Sequence, residues 1–284
     1  MIVWIYAAIS LLSALGLILG GHLVGAAITL VCTFVGLVVV TALVFAVACA
    51  LVDRNVPQEK DSPFYRFLVK QVIDLAVVLC RVKIHVSGME KIPENGRFLL
   101  VCNHLSNLDP VLLMRYFAHK QVAFISKREN DEMPFVGAVM HKLRCQLINR
   151  ENDREALKTI IKCIQMIRED EASICLFPEG YCSLDGRLRQ FRSGGFKIAQ
   201  KTGVPIVVCT VQNTRQALSR LVKLKSSQVT LHLVEVIPAE TLQGMSTQDI
   251  SHLVYETMIR DLGEERRCDE KGMHPDLQRQ QLEQ

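Results

Sequence analysis

Residues 98–110 read Phe-Leu-Leu-Val-Cys-Asn-His-Leu-Ser-Asn-Leu-Asp-Pro. The first five residues form an unbroken apolar run, which is typical of a strand buried on both faces of a sheet. Asp109 and Pro110 favour the start of a helix, with Asp109 as its N-cap and Pro110 at the first helical position. His104 lies in the loop between these two elements. Side chains at the carboxyl ends of strands face the ligand crevice in open α/β sheets, so this loop is the first candidate for a functional site.

From residue 82 onward, short β-like runs alternate with helical patterns, which indicates an α/β fold. The predicted strands are apolar or alternating runs at residues 82–86, 98–102, 122–126, 146–149, 173–177, 206–211 and 229–236. The predicted helices cover residues 109–118, 153–168 and 194–202, and a last helix begins at Ser246.

The first 52 residues contain no Asp, Glu, Lys or Arg, so the formal charge of +4 belongs to the rest of the chain. A helix of about 20 residues crosses the hydrocarbon core of a membrane, so this segment is long enough for two spans. We expect a transmembrane hairpin of residues 2–19 and 23–51. Basic residues follow the second span and none lies in the bend, which predicts that both ends face the cytoplasm. A cleaved signal peptide is the alternative, but the segment has no basic start and a second apolar run follows at once.

These patterns divide the chain into four parts. The parts are a hairpin at residues 1–52, a linker with an amphipathic helix at 53–81, an α/β domain at 82–262 and a polar tail at 263–284. The charged residues of the amphipathic helix share one face, namely Arg66, Lys70, Asp74 and Arg81. This helix either lies in the membrane interface or packs on the domain with its charged face in solvent.

The cysteines and histidines show no pattern of a metal site. The ten cysteines are scattered without a CxxC pair, and the histidines lack metal-ligand spacing. The sequence has no Gly-rich nucleotide-binding loop either. We therefore expect reduced cysteines, no metal, no cofactor and no nucleic-acid partner.

His104 and Asp109 carry the clearest chemistry in the sequence. Imidazole has a reference pKa of about 6.5, so its neutral form can take a hydroxyl proton at cytoplasmic pH. A carboxylate can hold the other ring nitrogen in the right tautomer and stabilise the imidazolium that forms. Taken alone, the two residues also fit a packed histidine at a strand end and an ordinary helix cap.

Four stretches, in order, resemble the signature blocks of the glycerolipid acyltransferases. The first is the Asn-His and Asp-Pro pattern within residues 103–110. The second combines residues 124–127, 134–137 and 148–150, the third is Phe-Pro-Glu-Gly at 177–180, and the fourth is Val-Pro-Ile-Val at 204–207. The resemblance implies a mixed sheet flanked by helices behind the apolar N-terminus.

The resemblance also implies roles for individual residues. In this family the histidine, here His104, is the general base, and the aspartate, here Asp109, orients it. The later blocks hold the glycerol phosphate, and cationic side chains suit such a head group. Glu179 cannot bind phosphate itself, so we expect it to contact a glycerol hydroxyl or a basic neighbour, or to form a structural salt bridge. The implied substrate-binding residues are Asn103, Lys127, Arg150, Glu179 and Gly180.

Two positions depart from the family pattern. Tyr181, Cys182 and Ser183 stand where many relatives have Thr-Arg-Ser, so one expected phosphate contact is missing. We expect Arg189 to bind substrate in its place, unless it belongs to a solvated basic patch with its neighbours Arg187, Arg192 and Lys197. Val208 stands where a second proline is frequent. A direct transfer needs no covalent enzyme intermediate, so Cys182 is not expected to act as a nucleophile.

The resemblance therefore implies an integral membrane enzyme whose α/β domain faces the cytoplasm. It would move a fatty acyl chain from a thioester, acyl-CoA or acyl carrier protein, to the hydroxyl of 1-acylglycerol 3-phosphate. Its partners would be membrane lipids and the acyl donor. The alternatives are another acceptor such as glycerol phosphate or a different lysolipid, a thioesterase, and a membrane scaffold without activity.

Overall fold

A computed structural model describes residues 2–222 and 225–268 of the chain. A seven-stranded sheet with helices on both faces forms the main body. The strands are β1 (Val82–Ser87), β2 (Leu99–Cys102), β3 (Val122–Lys127), β4 (Gln146–Ile148), β5 (Ser173–Leu176), β6 (Ile206–Gln212) and β7 (Ser227–Ile237). The helices are α1 (Ile2–Leu19), α2 (Leu23–Ala50), α3 (Pro63–Leu79), α4 (Leu108–Tyr116), α5 (Val136–Lys142), α6 (Asp153–Arg168), α7 (Lys197–Thr202), α8 (Thr214–Val222) and α9 (Thr247–Leu262).

The sheet is mixed, as the family resemblance implied. Its strand order is β1-β7-β6-β2-β5-β3-β4. The five strands from β6 to β4 run parallel to one another, whereas β7 is antiparallel to β6 and β1 is parallel to β7. The carboxyl ends of the five parallel strands therefore share one edge of the sheet, which is where such sheets bind ligands.

The apolar run of β2 has partners on both faces of the sheet. Leu99 and Val101 pack in the core beneath α6, α7 and α9, whereas Leu100 and Cys102 pack in the core on the opposite face. All four side chains are fully buried. Alternating directions along a strand account for this division, and the need to be apolar on both faces explains the unbroken run.

The N-terminal helices α1 and α2 form a hairpin that turns at Gly21, whose φ is +79°. This backbone conformation favours glycine, because a Cβ would strain it. Both helices are long and apolar enough to cross a membrane. The hydroxyl groups of Tyr6 and Thr41 hydrogen-bond across the hairpin. α1 and α2 are therefore candidate membrane spans.

The charged face of α3 lies against the body of the protein. Arg66 is buried and donates to the Asp61 carboxylate at 2.6 Å, and the buried Asp74 carboxylate accepts from Lys70 at 2.7 Å and from Arg115. The interpretation of this face as solvated is therefore wrong for Arg66 and Asp74, because ion pairing compensates their burial. The outward side of α3 instead exposes apolar side chains, including those of Phe64 and Phe67. A position in the membrane interface stays a prediction.

The structure corrects one local prediction and adds two short helices. α4 begins at Leu108 with Asn107 as its N-cap, so the prediction of Asp109 as N-cap is wrong. Asp109 lies within the first turn, and its side chain points back into the preceding loop. The short helices α5 and α8 were not predicted. Most of the predicted polar tail, residues 269–284, lies outside the described residues.

Candidate active site

The site forms where the loops after β2 and β5 meet. β2 and β5 are parallel neighbours, with Val101 paired to Leu176, so the segments that follow them leave the sheet side by side. The first loop carries His104 and the second carries residues 177–180. Two of the sequence blocks therefore come together because their strands are adjacent, although about seventy residues separate them in the chain.

A buried carboxylate holds the imidazole of His104. The Nδ1 atom of His104 lies 2.8 Å from Oδ2 of Asp109, whose side chain is 0% exposed. The same Oδ2 atom accepts the backbone N–H groups of Leu105 at 2.6 Å and Ser106 at 2.8 Å. Because Nδ1 is engaged in this way, Nε2 is the ring nitrogen that can exchange a proton with a substrate.

Glu179 ties the second loop to the first. Its Oε1 atom accepts the backbone N–H of His104 at 2.7 Å, and its Oε2 atom accepts the backbone N–H of Arg189 at 2.9 Å. Burial raises the pKa of this carboxyl to about 7, against the lowering effect of the two backbone N–H groups. The structure thus gives Glu179 two backbone partners, one of which belongs to the basic neighbour Arg189. Contact with a glycerol hydroxyl stays a prediction.

The other ring nitrogen of His104 contacts a thiol. The Sγ atom of Cys182 lies 3.3 Å from Nε2, and the ring of Phe177 stacks on the imidazole with 4.3 Å between the ring centroids. Burial lowers the pKa of His104, but hydrogen bonds to Asp109 and Cys182 outweigh it and raise this pKa to about 9. Sequence reasoning missed both contacts, and only the closeness of Cys182 to the third block hinted at the thiol.

Comparison with known proteins agrees with this arrangement. Residues 83–212, which contain all of these groups, match the family model described as Acyltransferase. Residues 83–212 are an acyltransferase domain. The match spans β1 to β6 and thus the whole parallel part of the sheet.

Several relatives resemble the chain beyond this acyltransferase domain. The 1-acyl-sn-glycerol-3-phosphate acyltransferase of Borreliella burgdorferi is 28% identical over 69% of this chain and 78% of its own length. A probable 1-acyl-sn-glycerol-3-phosphate acyltransferase of Mycoplasma pneumoniae is 29% identical over 68% of this chain and 71% of its own length. The crystal structure of the 1-acyl-sn-glycerophosphate acyltransferase PlsC from Thermotoga maritima shares the fold, with a TM-score of 0.57 and 23% identity over 81% of this chain and 90% of that one.

A pocket of about 640 Å³ opens next to His104 in the acyltransferase domain. Phe177 lines this pocket, and its ring also stacks on the imidazole of His104. The pocket therefore lies next to the histidine. Apolar side chains such as Ile125, Leu157 and Ile160 line the pocket too. Its charged lining residues are Arg150, Asp153, Arg192 and Lys197. Cations beside an apolar wall suit an amphiphile with an anionic head.

The predicted binding residues separate into two groups. Arg150 and Gly180 line the pocket, and Gly180 has a φ of +81°, where an added Cβ would lie 3.3 Å from Nε of Arg192. Lys127 is exposed at the end of β3 and is not among the described residues that line the pocket.

Asn103 and Arg189 have other contacts within the acyltransferase domain. The buried amide of Asn103 donates to the carbonyl of Val211 at 3.0 Å and accepts its N–H at 2.7 Å, which ties β2 to β6. The guanidinium of Arg189 donates to Asp185 at 2.8 Å and to Sγ of Cys268 at 3.2 Å. These contacts give both residues a positioning role, and their contact with substrate stays a prediction.

Proposed function

We propose that the chain transfers a fatty acyl group from an acyl thioester to the free hydroxyl of 1-acyl-sn-glycerol 3-phosphate. The product is phosphatidic acid. The observation that carries the proposal is the His104–Asp109 pair beside a pocket that has both cationic and apolar lining residues. The relatives from Borreliella burgdorferi and Mycoplasma pneumoniae, described as acyltransferases of 1-acyl-sn-glycerol 3-phosphate, favour this acceptor.

The chemistry follows from the two ring nitrogens of His104. Nε2 takes the proton of the acceptor hydroxyl, and the oxygen forms a bond to the thioester carbonyl carbon. The carbon–sulfur bond breaks, and the departing thiolate recovers the proton from Nε2. The Asp109 carboxylate stabilises the imidazolium between these two proton transfers, because it accepts a hydrogen bond from the Nδ1–H group throughout.

The acceptor head group is assigned to the pocket cations. The phosphate contacts Arg150. Arg192 and Lys197 supply the positive charge that many relatives have at the position of Cys182. Guanidinium groups suit a phosphate because they donate two parallel hydrogen bonds. The apolar lining residues contact the acyl chain.

The N-terminal hairpin keeps the site at a membrane. With α1 and α2 as spans, the acyltransferase domain faces the cytoplasm, since Arg54 and Lys60 follow α2 and the bend carries no Lys or Arg. Both lipid substrate and lipid product then stay in the bilayer. The thioester, acyl-CoA or acyl carrier protein, approaches from the aqueous side.

The test is acyl transfer by the detergent-purified full chain, with acyl-CoA and acyl carrier protein as alternative donors. Thiol release and lipid products are measured with 1-acylglycerol 3-phosphate, glycerol 3-phosphate or a lysophospholipid with a phosphodiester head. We expect phosphatidic acid and acceptor-dependent thiol release with the first acceptor. Thiol release without acceptor would indicate a thioesterase, and no release with any acceptor would indicate a scaffold.

A further inference from the structure

A second, smaller pocket of about 190 Å³ adjoins the loop that carries His104. Asn103 and Leu105, on either side of His104 in the chain, both line it, together with residues that follow β5 and β6. The larger pocket, which contains Arg150, instead opens over the ends of β3, β4 and β5. Since the strand order is β6-β2-β5-β3-β4, the two pockets flank the base along the carboxyl edge of the sheet.

Cys182 marks the point where the chain passes from one pocket to the other. Tyr181 lines the larger pocket, and residues 183–186 line the smaller one. The Sγ atom of Cys182, between them, lies 3.3 Å from Nε2 of His104. Ser183 donates its backbone N–H to the carbonyl oxygen of His104 at 2.7 Å, which fixes this segment against the base. The boundary between the two pockets therefore lies at the ring nitrogen that exchanges the proton.

Most side chains that line the smaller pocket are polar. Its cations are Arg215 and Arg266, and side-chain amides come from Gln212, Asn213 and Gln216. Amide side chains both donate and accept hydrogen bonds, so they suit a ligand that itself contains amide groups. Guanidinium groups suit a phosphate. The pocket thus favours a narrow ligand that combines amides with a phosphate.

The surrounding backbone holds Arg266 in the wall of the smaller pocket. Its carbonyl oxygen accepts the N–H of Leu188 at 2.7 Å, and its guanidinium donates to the carbonyl of Gly186 at 3.4 Å. Gly186 has a φ of +79°, and an added Cβ would lie 2.6 Å from this guanidinium, so the glycine makes room for it. The carboxylate of the pocket, Asp185, pairs with Arg189 at 2.8 Å. The two arginines of the lining therefore determine the sign of the local charge.

We propose that the smaller pocket binds the phosphopantetheine arm of the acyl donor, with the phosphate on Arg215 and Arg266. The inference rests on the proposed function, because it needs an acyl thioester as donor. The larger pocket has the apolar wall that an acylated lipid requires, whereas the smaller one suits a narrow polar arm. The thioester at the end of the arm then lies at Nε2 of His104, opposite the acceptor hydroxyl. Acyl-CoA and acylated carrier protein share this arm.

The experiment compares acyl donors with and without the phosphate. The full chain in detergent is assayed with acyl-CoA, with acylated carrier protein, and with the acyl thioester of N-acetylcysteamine, which keeps an amide and lacks the phosphate. The variants are Arg215→Gln and Arg266→Gln. Arg220→Gln is the matched control, because Arg220 lies on the same helix α8, donates to the Ser226 carbonyl at 3.4 Å and is not among the described residues that line the smaller pocket. Steady-state kinetics give kcat and KM for each donor and for 1-acylglycerol 3-phosphate.

We expect Arg215→Gln and Arg266→Gln each to raise KM for a phosphate-bearing donor by about tenfold, since a charge-assisted hydrogen bond is lost. KM for the lipid acceptor and the rate with the N-acetylcysteamine thioester should stay at the wild-type values, and Arg220→Gln should behave like wild type throughout. An effect with only one of the two phosphate-bearing donors would support the inference and identify the donor that the pocket fits.

Unchanged KM for both of these donors, or a raised KM for the lipid acceptor in their place, would overturn this inference and leave the proposed function intact. Because Arg215 is exposed, its substitution tests the inference without disturbing the fold. Absence of any lipid product from wild type would overturn both the inference and the proposed function.

Discussion

A single oxygen atom of Asp109 organises the loop around His104. Oδ2 of Asp109 lies 2.8 Å from Nδ1 of His104 and accepts the backbone N–H groups of Leu105 and Ser106. The imidazole and its own loop are therefore tied to the same buried point. Loss of the negative charge at this point should disturb the chemistry of the base more than the fold, because an amide keeps the shape of the carboxylate.

Asp109→Asn should lower kcat/KM by about a hundredfold or more, because the variant no longer stabilises the imidazolium. Initial rates of acceptor-dependent thiol release test this. Asp170→Asn is the matched control, since that exposed carboxylate pairs with Arg97 and neither residue lines the pocket. A kcat/KM close to wild type in Asp109→Asn would show that His104 works without its carboxylate.

The pH dependence of the rate should report the pKa of His104. That pKa is raised to about 9, so the neutral base is scarce below this value and kcat/KM should increase with pH until it levels near pH 9. Cys182→Ala removes one of the two hydrogen bonds that raise the pKa, so its residual activity should level at lower pH. A profile that is flat from neutral to alkaline pH in wild type would contradict this assignment.

Arg150→Gln should raise KM for 1-acylglycerol 3-phosphate by about tenfold while kcat changes little, because a charge-assisted hydrogen bond to the phosphate is lost. Steady-state kinetics with this acceptor measure the effect. Lys127→Gln removes a cation from the exposed end of β3 outside the pocket lining and should leave KM unchanged. Equal effects of the two changes would mean that general positive charge, and not the pocket, attracts the lipid.

Glu179→Gln should reduce kcat with little change in KM. The carboxylate accepts two backbone N–H groups, those of His104 and Arg189, whereas a glutamine offers one oxygen and turns an NH2 group toward the other N–H. The unmatched donor pair should displace the loop that carries the base, at a cost of about tenfold or more in kcat. Unchanged kcat with a raised KM would instead indicate that Glu179 contacts the substrate.

The elements predicted best are those that a local pattern determines. The helix at residues 153–168 is confirmed as α6 with the same bounds, because its apolar spacing and its N-cap Asn152 both occur in sequence. β2 is confirmed too, because a short apolar run followed by a polar loop is typical of a buried strand. α5 was missed, since it is only seven residues long and follows Phe135, whose φ of +64° is rare outside glycine.

The site was predicted in part for the same reason. His104 and Asp109 lie five residues apart, so the consecutive strand, loop and helix that carry them are enough to bring them together. The contacts of Glu179 and Cys182 with His104 depend on β2 and β5 being neighbours, and no local pattern determines strand order. Arg189 was expected to bind substrate because of its charge, and the direction of its side chain depends on Asp185, four residues earlier.

The central claim is that His104 is the base of an acyl transfer, and its most direct test is the rate of His104→Ala. Thiol release from acyl-CoA is measured with 1-acylglycerol 3-phosphate, beside wild type and the control His252→Ala, whose side chain is exposed on α9. The His104→Ala variant keeps the bond from its backbone N–H to Glu179 and the bonds from Leu105 and Ser106 to Asp109, so folding should persist, which thermal unfolding checks. Turnover should fall by about a hundredfold or more in His104→Ala and stay unchanged in His252→Ala. A folded His104→Ala protein that turns over at the wild-type rate would contradict the account.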